Sequence, residues 1–111
     1  MKRERALLES VPAAISDASG RRLSNQIGRA FRGTFGAKIG LRMIMRSIAG
    51  EMLAAGATAE AVTRALETSV LHHPGRIAAD SRPLMAGRAN STVLAEIACE
   101  CVADVARKPR Q

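Results

Sequence analysis

Aromatic residues are nearly missing from this chain of 111 residues, which has two Phe and no Trp or Tyr. Proteins that bind single-stranded nucleic acid, and RNA-recognition sheets, stack bases on aromatic rings, and two Phe cannot supply such a platform. Helices at membrane interfaces also usually carry Trp or Tyr. The composition therefore argues against all three classes of protein.

Cysteines and long apolar runs are also scarce. The two cysteines, Cys99 and Cys101, are too few and too close together for a disulfide framework. The first nine residues begin like a signal peptide, but Glu9 and Pro12 interrupt the apolar run. No stretch approaches the roughly eighteen uncharged apolar residues of a transmembrane helix. We therefore expect a cytoplasmic protein.

Ala, Leu, Ile, Val and Met dominate an apolar content of 47%. Ala, Leu and Met favour helices, and the alternating aromatic and Thr-rich runs that indicate strands are absent from the sequence. The length fits one domain with its own core. We predict an all-α fold, with residues 1–111 forming a single domain of four or five helices around a central helical hairpin. Residues 1–9 and 107–111 are expected to fray.

Apolar residues spaced three and four apart predict the individual helices. A short charged helix is expected over residues 2–9, and a second short one from Ser10 to a stop at Gly20. Longer helices are predicted over 21–32, 38–55 and 59–73, with Gly56 ending the second and Thr58 capping the third. Asn90 or Ser91 should cap a final helix that runs to about residue 106. The intervening loop, 74–90, is expected to contain a short helix around 77–84.

Residues 18–50 contain no Asp or Glu and seven Lys or Arg, so they supply the whole formal charge of +7. Clustered cations concentrate positive potential on one side of a fold, whereas ordinary solvated faces mix both signs. Because arginine pairs bidentately with phosphate, this stretch favours the backbone of duplex nucleic acid, DNA most of all. The expected phosphate-binding residues are Arg21, Arg22, Arg29, Arg32, Lys38, Arg42 and Arg46.

Two other partners for these cations stay open. A cationic amphipathic helix carrying Phe31 and Phe35 could lie on an anionic membrane, although the frequent glycines and the missing Trp disfavour this. In a different class of function, the same cations would dock an acidic protein, and the chain would be an α-helical interaction adaptor or regulator.

A local motif follows at the predicted hairpin. Residues 55–66 read Ala-Gly-Ala-Thr-Ala-Glu-Ala-Val-Thr-Arg-Ala-Leu, with a glycine turn, a threonine cap and a Val-Thr-Arg run. Residues 47–66 resemble the helix-turn-helix of the lactose-repressor family of transcription factors. By that resemblance, 58–71 would be a recognition helix whose N-terminal part enters the major groove of DNA. The implied DNA contacts are Thr58, Ala59, Thr63 and Arg64, and the implied role is transcription regulation.

The segment also departs from that family. Met52 stands where the first helix normally has a small Ala, and Glu60 and Glu67 put negative charge on a surface that should face phosphate. An ordinary helical hairpin needs the same glycine, cap and apolar stripe.

Neither metal nor catalytic chemistry is indicated. The candidate ligands are His72, His73, Cys99 and Cys101, but the two cysteines lie about 200° apart on a helix and cannot both reach one ion. His73 on the apolar face is expected to be a core histidine. The sequence has no phosphate-binding Gly-Lys-Ser/Thr loop and no set of nucleophile and base. We expect no metal, no cofactor and no enzymatic activity.

A second copy of the chain is a further expected partner. An Ala/Met/Leu stripe in a small domain leaves apolar surface that a homodimer would cover. Gly36 and Gly40 could allow helices to pack closely within the chain or across such a dimer.

Overall fold

Five helices make up the part of the chain that the structure describes. The structure is a computed structural model that describes residues 15–84 and 87–107. In chain order the helices are α1 (Asp17–Phe31), α2 (Ala37–Ala54), α3 (Ala59–Leu71), α4 (Arg76–Asp80) and α5 (Asn90–Arg107). The predicted all-α class is confirmed. The helix predicted over residues 2–9, the start at Ser10 and the tail beyond Arg107 lie outside the described residues.

The predicted stop at Gly20 is wrong, because α1 runs through it. Ser16 caps the helix by accepting a hydrogen bond from the Ser19 N–H at 3.2 Å, and the Gly20 N–H donates to the Ser16 carbonyl. A glycine inside a helix costs only about 1 kcal/mol relative to alanine. The burial of Leu23 and Ile27 further along the same helix outweighs that cost.

Helices α2 and α3 begin and end close to their predicted positions. Gly56 follows α2 with a φ of +103°, a left-handed conformation that only glycine adopts readily. Thr58 then caps α3, its Oγ1 accepting from the Ala61 N–H at 3.1 Å. These two local devices define the turn between the helices.

The core forms where α2 and α3 pack on α5. Both helices contact α5 more extensively than they contact each other. The predicted hairpin of α2 and α3 is therefore stabilised mainly by packing on α5. Helix α1 packs mainly on α2. The fully buried large side chains come from α1, α2, α3 and α5, and they are Leu23, Ile27, Leu41, Met45, Val62, Leu66, Val70, Leu94, Cys101 and Val102.

Helix α5 is capped from a distance, by Asp80 at the end of α4. The sequence predicts a start capped by Asn90 or Ser91, but the Asp80 carboxylate instead accepts from the Ser91 N–H at 2.8 Å and from the Ser91 hydroxyl at 2.7 Å. Burial raises the pKa of Asp80, but these hydrogen bonds and the Arg76 guanidinium lower it by more. The net pKa lies below the ordinary value for aspartate.

We expect Asp80→Ala to lower the free energy of unfolding by about 1 kcal/mol at neutral pH, the usual value of a lost cap. Because the folded-state pKa is depressed, the carboxylate stabilises the fold above its unfolded pKa of about 3.9, and this contribution disappears as the pH falls through the lower folded value. Urea titrations at several pH values should therefore show the two proteins converging below about pH 4. Asp80→Asn serves as a control without charge, and an equal gap at all pH values would contradict the ionic cap.

Candidate nucleic-acid interface

The solvent face of α1 is cationic from Arg21 to the end of the helix. Leu23, Ile27 and Phe31 turn one side of the helix into the core. The opposite side exposes Arg21, Arg22, Asn25, Arg29 and Arg32, as the periodicity predicts. None of these four arginines makes an ion pair with a residue in 15–84 or 87–107.

The single acidic residue on α1 does not neutralise this face. Asp17 lies in the first turn, four residues before Arg21. The positive N-terminal end of the helix stabilises a carboxylate at this position. It forms no ion pair with a described residue. Lys38, in the first turn of α2, adds an exposed fifth cation that is likewise unpaired within the described ranges.

The expectation of an acid-free surface is wrong for Arg42 and Arg46. Arg42 Nη1 lies 3.0 Å from Glu100 Oε1, and Arg46 Nη2 lies 2.9 Å from Asp104 Oδ2. Both carboxylates come from α5, which runs beside α2 in the same direction. Such exposed pairs stabilise a fold by at most about 1 kcal/mol each, but they cancel the local charge. The cationic surface is therefore smaller than the sequence indicates and is centred on α1.

Glu100 and Asp104 were not identified from the sequence as neighbours of the basic stretch. One signal was available, because these carboxylates are four residues apart on α5 and match the four-residue spacing of Arg42 and Arg46. The two segments lie 58 residues apart in the chain. Periodicity alone does not reveal which helices become neighbours.

On α3, two of the implied base-reading hydroxyls already have partners. Thr58 Oγ1 caps the helix, and the Thr63 hydroxyl donates to the Ala59 carbonyl at 2.9 Å. Arg64 has an exposed side chain on the outer face, where the exposed Glu60 also lies. The Thr63 hydroxyl uses its donor within the helix, whereas the Thr58 hydroxyl, which only accepts in the cap, and the Arg64 guanidinium keep donors for a base.

The histidine and cysteine candidates have structural surroundings. The Gly75 N–H donates to His73 Nδ1 at 2.9 Å, so the proton is on Nε2, which lies 3.0 Å from the Ser24 carbonyl oxygen. The imidazole ring also packs edge-on against the Phe31 ring, with 5.5 Å between the two ring centroids. His73 therefore ties the end of α3 to α1.

The two cysteines differ in burial. Cys101 is buried, and its thiol donates to the Arg42 carbonyl at 3.7 Å. Burial raises the pKa of this thiol. Cys99 is exposed. No three His, Cys, Asp or Glu residues converge on a possible metal position among the described residues.

Apolar side chains are also exposed near the cations. Phe31 is buried, so the membrane alternative loses one of its two aromatic residues. Phe35 is fully exposed, at 101%, and Ile39 and Met43 follow on α2 at 67% and 66%. These two residues lie four and eight positions after Phe35, on one side of the helix.

Comparisons with known proteins identify no relative. No protein-family model, curated protein or solved structure matches the chain. Among the described helices, none has the length and hydropathy needed to cross a membrane. The function must therefore be argued from the surface itself.

Proposed function

We propose that this chain is a small cytoplasmic protein that binds the backbone of duplex nucleic acid, most favourably DNA, through the exposed face of α1. The observation that supports this function is the set of four exposed arginines, three on α1 and Arg32 at its C-cap, that have no carboxylate partner among the described residues. Arginine binds phosphate bidentately, and contacts of this kind supply affinity without sequence preference.

The dimensions of α1 suit such binding. Its 15 residues extend about 22 Å, which equals the rise of about six base pairs along the duplex axis. Arg22 and Arg29 are seven residues apart and so lie almost directly above one another on the helix.

A regulatory role would require sequence reading, which α1 does not supply. The helix-turn-helix resemblance assigns that task to α3, where Thr58, Thr63 and Arg64 are the candidates. Because both threonine hydroxyls bond to their own helix, Arg64 is the residue with which to test base contact.

The proposed binding is tested by fluorescence anisotropy of a labelled random DNA duplex at several salt concentrations. The logarithm of the binding constant should fall with the logarithm of salt by about 0.9 for each phosphate contacted. We expect a slope of about −4 for the intact protein, and a slope shallower by about 2 for Arg22→Gln/Arg29→Gln.

Arg42→Gln/Arg46→Gln is the matched control, because it removes the same number of positive charges from positions that α5 already neutralises. It should change the slope by less than about 1. If the control and the α1 variant lower the slope equally, α1 is not the binding surface. No binding at low salt would exclude the proposed function.

Docking of an acidic protein is the second candidate function. The chain itself contains an example, since Glu100 and Asp104 bind Arg42 and Arg46 with the same four-residue spacing on two neighbouring helices. An acidic helix whose carboxylates are seven residues apart would meet Arg22 and Arg29 in the same manner. This candidate predicts no affinity for purified duplex.

A further inference from the structure

The outward side of α2 carries an uncharged strip, with the exposed Arg46 along one edge and the exposed Glu51 along the other. It follows a line that begins with the exposed Ile39 and Met43 and continues through three small residues, Ser47, Gly50 and Ala54. Ser47 and Ala54 are exposed, and Gly50 is partly buried. Phe35 extends the apolar part of this line beyond the start of the helix. We call these six residues the α2 face.

Large side chains occupy one half of the α2 face and small ones the other half. Two antiparallel copies related by a two-fold axis near Ser47 would place Met43 of each copy opposite Gly50 of the other. Ile39 would lie opposite Ala54 in the same register. A two-fold interface must be complementary to itself, and this order of sizes meets that requirement. We propose that the α2 face is covered by a second copy of this chain in this antiparallel arrangement.

Gly50 provides the space for the incoming Met43. A Cβ atom at Gly50 would lie 4.0 Å from Val105 Cγ1, which is an ordinary contact, so the fold of a single copy does not require glycine there. In the proposed arrangement, the missing side chain would leave a depression beside Val105 of α5 for the Met43 side chain of the other copy. A methionine is flexible enough to fill a depression of irregular shape.

The charges beside the α2 face favour a second copy over an acidic partner. A two-fold axis across antiparallel helices brings each flank against the same flank of the other copy, so cations would meet cations. On this flank Glu100 and Asp104 already neutralise Arg42 and Arg46, which removes most of the repulsion. An acidic helix would have to displace these same carboxylates.

The available area predicts a dimer of moderate affinity. Phe35, Ile39 and Met43 together expose on the order of 400 Å², and the face extends along a helix about 27 Å long. Both copies together would bury about 1,000 Å², near the lower end of specific interfaces. We expect dissociation constants in the micromolar range.

Such a dimer would present two cationic faces on one side, which deepens the proposed function and rests on it. Helix α1 contacts α2 where Gln26 donates to the Ala37 carbonyl and lies against Gly40, on the flank opposite α5. The two-fold axis keeps both of these flanks on the same side. The two contacts would lie about 20 Å apart along the helix pair. One duplex could then engage both copies of α1.

Sedimentation equilibrium across the micromolar range tests the assembly. We expect a monomer–dimer equilibrium for the intact chain and a dissociation constant at least about tenfold higher for Met43→Asp, because the dimer would bury an unpaired carboxylate. Ile77→Asp is the matched control: Ile77 is 74% exposed but lies on α4, away from the α2 face. A chain that remains monomeric throughout the range would overturn the proposal.

A size exchange tests the register. Met43→Ala and Gly50→Met should each weaken the dimer about tenfold, the first by leaving a cavity and the second by overfilling the depression. The double variant Met43→Ala/Gly50→Met restores one large and one small residue at each contact, so its affinity should return to within about threefold of the original. If the double variant is weaker than both single variants, the antiparallel register is wrong.

Duplex titrations separate this inference from the proposed function. Met43→Asp should bind duplex at least about tenfold more weakly while keeping a salt dependence, since it loses the second copy but not α1. Monomeric protein that binds duplex with the expected slope would overturn the dimer and leave the function intact. A dimer that binds no duplex would overturn the proposed function and leave the dimer intact. Duplex that itself dissociates the dimer would show that nucleic acid covers the α2 face, and would also overturn the inference.

Discussion

Replacing Leu66 with alanine is expected to lower the free energy of unfolding by about 3 kcal/mol. Leu66 is fully buried in the middle of α3, the helix that packs most extensively on α5. The truncation removes buried apolar atoms and leaves a cavity that rigid helices close only in part. Because small domains have total stabilities of about 5–15 kcal/mol, this loss is a large share of the whole.

Urea unfolding followed by far-ultraviolet circular dichroism measures this effect. Leu71→Ala is the matched control, since it makes the same change in the same helix at an exposed position. It should cost less than about 1 kcal/mol. Similar losses in the two variants would mean that α3 does not pack on α5 as the structure shows.

Replacing Asn90 with leucine is expected to lower the free energy of unfolding by about 3 kcal/mol. The Asn90 side chain is only 5% exposed and accepts a hydrogen bond from the Leu84 N–H at 3.0 Å. Its Nδ2 donates to the Ala79 carbonyl at 2.8 Å and to the Arg82 carbonyl at 3.3 Å. Leucine has a similar size but would leave these backbone groups without their partner.

Asn25→Leu is the control for this substitution. Asn25 is exposed on α1, so the same change there should alter the free energy of unfolding by less than about 0.5 kcal/mol. The same urea titration compares the two variants. An equally small loss for Asn90→Leu would show that the segment between α4 and α5 is not held by this side chain.

Local sequence signals predicted the longer helices well. The predicted ranges 38–55 and 59–73 correspond to Ala37–Ala54 and Ala59–Leu71, and the final helix begins at Asn90 as one of the two expected positions. Caps, glycine turns and apolar periodicity act over a few residues, so one sequence contains them in full. Gly20 misled because a weak local preference was overridden by burial further along α1.

Contacts between distant segments could not be predicted in this way. Asn90 or Ser91 was expected to cap the final helix. The Asn90 side chain instead bonds to Leu84 and Ala79, and Asp80 takes the capping role. The pairing of Arg42 with Glu100 likewise depends on which helices become neighbours. The helical period alone predicts that the cations of α1 share one exposed face. That they have no carboxylate partner among the described residues is known only from the three-dimensional arrangement.

The central position of α5 has a consequence for the order in which the chain matures during translation. The apolar sides of α2 and α3 find most of their cover on α5, which emerges from the ribosome after both of them. At about 5–20 residues per second, roughly 2–7 seconds separate the synthesis of Leu71 from that of Arg107. During that interval two amphipathic helices lack their main partner, so we expect the nascent chain to bind chaperones that recognise exposed apolar helices.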